Sequence, residues 1–284
     1  MSAVIEARNL VKRYKGRPAL DGASFSVQQG RIVGLIGRNG AGKTTALKAI
    51  LGLTQHEGEL SVLGRNPSVE RDAVMRDVSF IADTAVLPKW LRVRNALDYV
   101  EGVHPSFQRD RAEAFLRATE IRLGSRVKEL SKGMVTQLHL ALILAIRARL
   151  LVLDEPTLGL DLLYRRRFYD TLLNDYMDEG RTILVTTHQV EEIENILTDV
   201  LFIEKGRIVL DSPIETLGER YHQLLVAPDK LAAAKALGPF SERTVFGRTV
   251  MFFDGKDAAQ LGELGELSTP TVSDLFVATM QEAA

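Results

Sequence analysis

A glycine-rich loop between a predicted strand and a predicted helix constrains this chain most. Residues 37–44 read GRNGAGKT. The apolar run at 32–36 is typical of a buried strand, and residues 46–51 place apolar side chains at helical spacing before Gly52. A strand, a loop of this spacing and a helix form the context in which such a segment binds phosphate. The segment therefore predicts an α/β fold with a phosphate-binding loop.

The residue types in the loop fit the chemistry of a nucleotide phosphate. Glycines let backbone N–H groups approach an anion without a Cβ in the way, and the helix start adds the positive end of its dipole. Lys43 would reach the β- and γ-phosphates, and the Thr44 hydroxyl would bind Mg²⁺. The predicted nucleotide-binding residues here are Gly37, Arg38, Asn39, Gly40, Ala41, Gly42, Lys43, Thr44 and Thr45.

Composition limits the other function classes. The 284 residues are 45% hydrophobic and 26% charged, with a net charge of −1 and no cysteine. This balance is typical of a globular protein and gives no electrostatic footprint for nucleic acid. The arginine run at 165–167 lies between Asp161 and Asp170 and is interpreted as a solvated helix face. No apolar run approaches the roughly 18 residues of a spanning helix, so other chains would supply any membrane part.

Two segments after the loop are predicted to be helical. Residues from Leu87 to about Glu129 keep helical apolar spacing, with Pro105 expected to open a second helix. Trp90, at the entrance to this block, is either a core residue or part of a partner-docking surface. Ser131 is expected to cap a helix that is apolar nearly all round from 138 to 146 and should be buried.

Paired carboxylates follow a buried strand. Residues 150–153 are apolar and lead into Asp154 and Glu155, which should emerge at the carboxyl edge of the sheet, where open α/β folds bind ligands. Asp154 is placed to bind Mg²⁺, and Glu155 to polarise the water that attacks a γ-phosphate. A second strand at 182–186 ends near His188, which we expect on the same edge.

The order of these elements strongly resembles the ATP-binding cassette (ABC) ATPases over about residues 4–215. The resemblance implies that Ser131, Gly133 and Met134 belong to the signature motif, which binds the nucleotide of a second subunit. It also implies that Glu155 and His188 are catalytic, and that Asp154 is a Mg²⁺ ligand. Tyr14 would stack on the adenine, and residues 159–161 would form the loop known in the family as the D-loop.

The resemblance carries further expectations about organisation and function. It implies a nucleotide-binding domain at 1–215, built from a P-loop core with a parallel sheet, an antiparallel β subdomain and a helical subdomain at about 87–147. Residues 216–284 would form a small α+β accessory region. The chain would bind ATP and Mg²⁺ and hydrolyse ATP for a membrane transporter. The Lys-Gly-Met ending of the signature is similar to that of type-two exporters.

Partners and location follow from the same resemblance. A second nucleotide-binding subunit, either an identical copy or a paralogue, and integral membrane permease subunits are implied, with no nucleic acid. The chain would be cytoplasmic and held at the inner face of the membrane by the permease.

Three positions depart from the family pattern. Asp83 stands where glutamine is usual, and we predict that it binds Mg²⁺ directly or through water. Its negative charge beside the γ-phosphate motivates a hypothesis of altered coupling to the partner. Leu158 replaces a common serine before the D-loop, and Met134 replaces the glutamine that ends the signature.

Two other functions remain open from the sequence. A soluble ABC ATPase acting on ribosomes or DNA would usually carry two cassettes or a coiled coil, and this chain shows one cassette without sustained heptads. A slow ATP-sensing module is favoured by Asp83 and Leu158 and opposed by Glu155 and His188.

Overall fold

The computed structural model describes residues 3–82, 87–158, 162–176 and 180–282. The strands are β1 (Ala3–Tyr14), β2 (Arg17–Gln28), β3 (Ile32–Ile36), β4 (Glu57–Val62), β5 (Val78–Ile81), β6 (Leu150–Asp154), β7 (Thr182–Thr187), β8 (Asp199–Glu204), β9 (Arg207–Pro213), β10 (Tyr221–Val226), β11 (Ser241–Val245), β12 (Arg248–Asp254) and β13 (Gly265–Ser268). The helices are α1 (Lys43–Ile50), α2 (Arg71–Met75), α3 (Val93–Val103), α4 (Arg109–Arg117), α5 (Lys132–Leu144), α6 (Leu162–Tyr176), α7 (Ile214–Arg220), α8 (Leu231–Ala236), α9 (Ala258–Gly262) and α10 (Val272–Glu282).

A central sheet with the strand order β5-β6-β7-β3-β8-β9 organises the fold. The strands from β5 to β8 are parallel, and β9 is antiparallel to β8. Strands β3, β6 and β7 are buried along their whole length, which explains the nearly continuous apolar sequences of β3 and β6. One face packs against α1 and the antiparallel strands near the N-terminus, and the other packs against α5, α6 and α10. The predicted α/β core with a parallel sheet is confirmed.

The predicted antiparallel β subdomain is the sheet β2-β1-β4. Pro18 and Gly22 are residue types common in turns, but both lie inside β2. β2 ends the strand order of this sheet in the described chain, and a strand at such a position tolerates a proline that donates no ladder hydrogen bond. Gly22 has a φ of 84° and lies where the pairing with β1 shifts register, as in a β-bulge.

The helical subdomain consists of α3, α4 and α5 around its own apolar cluster. An arginine on α4 links the first two helices, because Arg109 forms ion pairs with Asp98, Glu101 and Glu113. The second helix begins at Arg109 and not at Pro105. The preceding residues run along the end of α5, where Phe107 forms a β-bridge with Ile146, and this pairing keeps them out of the helix.

The chain beyond α7 forms a second antiparallel sheet, β11-β12-β10-β13, and α10 packs back onto the core. The rings of Phe202 on β8 and Phe276 on α10 meet edge to face at 5.3 Å. Thr271 caps α10, because its Oγ1 accepts from the Asp274 N–H at 3.0 Å. The predicted division at residue 215 falls inside α7 and stays a prediction.

Among the helices that the structure describes, none combines the length and apolar character needed to cross a membrane.

Candidate nucleotide-binding site

The loop after β3 has the backbone that its glycines predict. Gly42 caps α1 with a φ of 118°, and a Cβ there would lie 2.6 Å from Ala19 O. Gly37 has a negative φ but is sterically enclosed, since its Cβ would lie 2.5 Å from Ile203 O. The Gly206 N–H donates to Ala41 O at 2.8 Å and anchors the loop to the β8–β9 hairpin. A larger residue therefore does not fit at position 37 or at position 42.

Lys43 lies at the centre of the site. It is the first residue of α1, and its side chain is only 8% exposed. The ammonium group donates to Gly37 O at 2.7 Å and lies 3.5 Å from Glu155 Oε1. A cation held by a carbonyl and a carboxylate can exchange those oxygens for phosphate oxygens, which offer more negative charge. This position is consistent with the predicted contact of Lys43 with phosphate.

Glu155 connects the loop with the end of β7. Its φ of 47° is left-handed, which is uncommon for a residue with a Cβ and is often found at functional sites. This turn brings one carboxylate oxygen to Lys43 and the other to His188, whose Nδ1 lies 2.9 Å from Oε2. The structure thus brings the two predicted catalytic residues into direct contact beside the phosphate loop.

Asp154 and Glu155 are held by a residue that sequence analysis missed. Thr186, fully buried in β7, donates its hydroxyl to Asp154 Oδ1 at 2.6 Å. The Glu155 N–H donates to both Thr186 O and Thr186 Oγ1, at 3.1 and 3.3 Å. The sequence offered little signal, because β7 holds three threonines, Thr182, Thr186 and Thr187, and threonine favours strands for its shape alone.

A second group of polar contacts joins the chain after Glu155 to the chain after His188. These contacts were not predicted from the sequence. Thr157 contacts the Tyr169 hydroxyl and Glu192, each at 3.3 Å. Arg165 donates to Gln189 Oε1 at 2.9 Å and forms an ion pair with Glu192. The interpretation of residues 165–167 as a solvated face is therefore wrong for Arg165, whose side chain is 21% exposed.

Burial raises the pKa of Tyr169 to about 12, because the phenolate would lose its hydration. The hydrogen bond with Thr157 and the charge of Arg165 act in the opposite direction. The phenol is therefore neutral at physiological pH and serves as a hydrogen-bonding group.

The predicted signature residues lie at the start of α5. Ser131 caps this helix as expected, since its Oγ accepts from the Met134 N–H at 3.2 Å. Gly133 and Met134 are partly buried in the first turn. Among the described residues, no hydrogen bond or ion pair joins this segment to loop 37–45. The structure of a single chain thus keeps the signature and the phosphate loop apart.

The other predicted residues have varied surroundings. Tyr14 is 45% exposed, with the Lys12 ammonium 5.2 Å from its ring centre. Trp90 is 72% exposed, so its interpretation as a core residue is wrong. Asp83 and residues 159–161 lie outside the described residues.

The oxygen donors at the site fit Mg²⁺. Thr44 and Asp154 supply a hydroxyl and a carboxylate, and a magnesium ion prefers hard oxygen ligands. No group of three or more His, Cys, Asp or Glu side chains in the described part of the chain could hold a metal.

Comparison with known proteins agrees with this geometry. A model of the ABC transporter family matches residues 20–158. The chain is 36% identical over 261 residues to the Nod factor export ATP-binding protein I of Burkholderia thailandensis, covering 88% of this chain and 85% of that protein. It is 27% identical to the ABC transporter ATP-binding protein YtrB of Bacillus subtilis, over 80% of this chain and 77% of that protein.

A solved structure of an ATP-binding subunit of an ABC transporter superposes with a TM-score of 0.69 at 27% identity, covering 76% of this chain and 92% of that one. A bacterial Atm1-family ABC exporter with ATP bound shares the fold, with a TM-score of 0.65 at 21% identity over 76% of this chain and 39% of that one. The chain therefore belongs to the ABC transporter family as an ATP-binding subunit, and it is an ATPase.

Proposed function

We propose that this chain powers export through a membrane permease, and that it works as a pair in which each copy closes over the ATP bound by the other. The observation that carries the proposal is the contact of Glu155 with both Lys43 and His188 beside the phosphate loop. The names of the export relatives and the Lys-Gly-Met ending of the signature support the direction of transport.

The first step is the entry of ATP at loop 37–45. Lys43 leaves Glu155 and binds the β- and γ-phosphates, while the backbone N–H groups of the loop and the start of α1 face the same anion. Thr44 and Asp154 would hold Mg²⁺, which when bound supplies positive charge opposite the triphosphate. Asp83 is proposed to support that ion directly or through water, and Tyr14 to stack on the adenine.

The second step is hydrolysis. Glu155, released from Lys43, orients a water molecule against the γ-phosphate and accepts a proton from it at Oε1. His188 keeps Oε2 of the same carboxylate in place through its Nδ1–H. Cleavage of the γ-phosphate bond then leaves ADP and inorganic phosphate, with the proton on Glu155 returned to solvent.

A second copy completes the site in this proposal. The start of α5, with Ser131, Gly133 and Met134, would face the γ-phosphate bound by the other copy and add its N–H groups and dipole. The separation of signature and phosphate loop within one chain is consistent with this arrangement. Closure on ATP and release after hydrolysis would move an attached membrane partner. Attachment to this membrane partner would hold the chain at the cytoplasmic face of the membrane.

The proposed permease contact is an exposed apolar surface on the helical subdomain, which we name the docking surface. It consists of Trp90, Tyr99 and Val103, which are 72%, 68% and 60% exposed. Tyr99 and Val103 are four residues apart on α3 and share one side of that helix. Large exposed aromatic residues commonly anchor protein interfaces.

A steady-state phosphate-release assay tests the enzymatic part. Glu155→Gln and Lys43→Ala should each reduce turnover by about 100-fold or more, since each removes a group that acts in the reaction. Glu155→Gln should retain ATP binding, whereas Lys43→Ala should lose most of it. Glu59→Gln, an exposed carboxylate on β4, is the control and should behave as wild type. Wild-type turnover by Glu155→Gln would contradict the proposal.

The gene neighbourhood tests the transport part. A neighbouring gene encoding about six apolar spans would supply the permease, and its product should copurify with this chain. Strong, salt-dependent binding to nucleic acid in the absence of any permease would instead favour the ribosome or DNA alternative.

A further inference from the structure

Thr186 occupies a position from which one side chain contacts both acidic residues of the site. It is fully buried in β7, where it lies opposite Asp154 of β6 on one side and Leu35 of β3 on the other. Thr186 therefore lies beside Asp154, which precedes Glu155, and beside β3, which leads into the phosphate-binding loop. Its backbone is fixed by a strand on each side.

The hydroxyl of Thr186 makes two different hydrogen bonds. It donates to Asp154 Oδ1 at 2.6 Å, a short bond typical of a hydroxyl and a charged carboxylate. It also accepts from the Glu155 N–H at 3.3 Å, which simultaneously donates to Thr186 O at 3.1 Å. One oxygen atom thus fixes the rotation of one carboxylate and the backbone of the next residue.

The backbone that this hydroxyl holds is strained. Glu155 has a φ of 47°, and residues with a Cβ keep such a conformation only when surrounding contacts hold it. Because the side-chain direction depends on this φ, the contacts of Glu155 with Lys43 and His188 depend on it as well.

We propose that Thr186 is a positioning residue for ATP hydrolysis, which aligns the Asp154 carboxylate for the metal and the Glu155 carboxylate for the attacking water. The inference rests on the roles given to these two acids under the proposed function. In this role Thr186 acts through Asp154 and Glu155 and not by contact with ATP. Outer partners of metal-binding carboxylates commonly affect metal affinity or activity by about 10- to 100-fold.

The test compares Thr186→Val with Thr182→Val in the full-length chain. Thr182 is a matched control, because it is also fully buried in β7 and its hydroxyl accepts from the Gly30 N–H at 3.1 Å, but it lies at the opposite end of the strand. Thr186→Val should lower kcat by about 10- to 100-fold and raise the Mg²⁺ concentration for half-maximal activity. Binding of ATP without Mg²⁺ should be unchanged. Thr182→Val should change neither kcat nor the Mg²⁺ requirement.

Thr186→Ser keeps the hydroxyl and should restore most of the activity and the wild-type Mg²⁺ dependence. If Thr186→Val does not fold, Thr186→Ala removes the hydroxyl without placing a methyl group against the carboxylate and is measured in the same way. Equal kcat and Mg²⁺ dependence for Thr186→Val and Thr182→Val would overturn the proposal. So would a Thr186→Ser variant as impaired as Thr186→Val.

Two further variants separate this inference from the function on which it rests. If Asp154→Asn and Glu155→Gln hydrolyse ATP like wild type, the roles of the acids are wrong and the inference fails with them. If both are inactive while Thr186→Val matches Thr182→Val, only the positioning role of Thr186 is wrong.

Discussion

The ammonium group of Lys43 lies 3.5 Å from Oε1 of Glu155, and their side chains are only 8% and 13% exposed. In this arrangement each proposed reacting group is held by the other. In the proposed mechanism, ATP separates the pair, so that the lysine binds phosphate and the glutamate orients water. Binding and catalysis would then be linked through this one contact.

Neutralising Glu155 should strengthen ATP binding in the absence of Mg²⁺. Glu155→Gln frees Lys43 from its ion pair and removes a negative charge beside the triphosphate, so both effects act in the same direction. We expect the Kd for ATP to fall by about 5-fold, equivalent to roughly 1 kcal/mol. Isothermal titration calorimetry checks this value, with Glu59→Gln as the charge-matched control. Weaker ATP binding by Glu155→Gln would show that the ion pair does not compete with ATP.

Two alanine substitutions should change stability in opposite directions. Gly37→Ala would place a Cβ 2.5 Å from Ile203 O, so β3 or β8 must shift. We expect a loss of about 1 to 3 kcal/mol in the free energy of unfolding, together with weaker ATP binding. Gly102→Ala, inside α3 with nothing within 4 Å, should stabilise by about 0.5 to 1 kcal/mol. Urea unfolding measures both, and similar shifts for the two variants would contradict the packing of the loop.

Stability should fall at alkaline pH through Tyr169. Burial raises the pKa of this phenol to about 12, whereas it is near 10 in the unfolded chain. Between these values only the unfolded chain releases the proton, so the folded state loses stability as pH rises above 10. Between pH 8 and pH 11, the free energy of unfolding of the wild type should fall by about 1 kcal/mol relative to that of Tyr169→Phe.

The comparison uses urea unfolding at pH 8 to 11. Loss of the contact with Thr157 should give Tyr169→Phe a constant offset below pH 10. Tyr221, whose pKa burial also raises, is present in both proteins, so its effect cancels in the difference. Parallel curves for the two proteins across the whole pH range would contradict the buried, neutral phenol.

The docking surface should matter for the permease and not for folding. Trp90→Ala and Tyr99→Ala should leave the basal ATPase rate and thermal stability close to wild type, because both side chains are largely exposed. Each substitution should reduce the amount of permease that copurifies with the chain. Each should also reduce the stimulation of ATP hydrolysis by the permease. Phe246→Ala is the matched control, since Phe246 is a fully exposed aromatic residue between β11 and β12. Equal effects of Trp90→Ala and Phe246→Ala would reject this surface.

Much of the site could be predicted because its chemistry is local in sequence. The spacing of Gly37, Gly42 and Lys43 determines a loop between adjacent elements, and the acids at 154–155 directly follow their strand. The helix cap at Ser131 is equally local. Such features depend on residues only a few positions apart.

The missed residues depend on contacts between distant parts of the chain. Thr186 meets Asp154 only because β6 and β7 are parallel neighbours in a particular register. Arg165 was interpreted from its charged neighbours in sequence, whereas its partners Gln189 and Glu192 lie on another segment. Trp90 is exposed although Leu87 and Leu91 on either side of it pack against the core of the helical subdomain.

The most direct test of the account is sedimentation velocity of Glu155→Gln with and without ATP. If the nucleotide is enclosed between two copies, the variant should sediment as a monomer alone and as a particle of twice the mass with saturating ATP, returning to monomer with ADP. A monomer at saturating ATP, with ATP binding confirmed in the same sample, would contradict it.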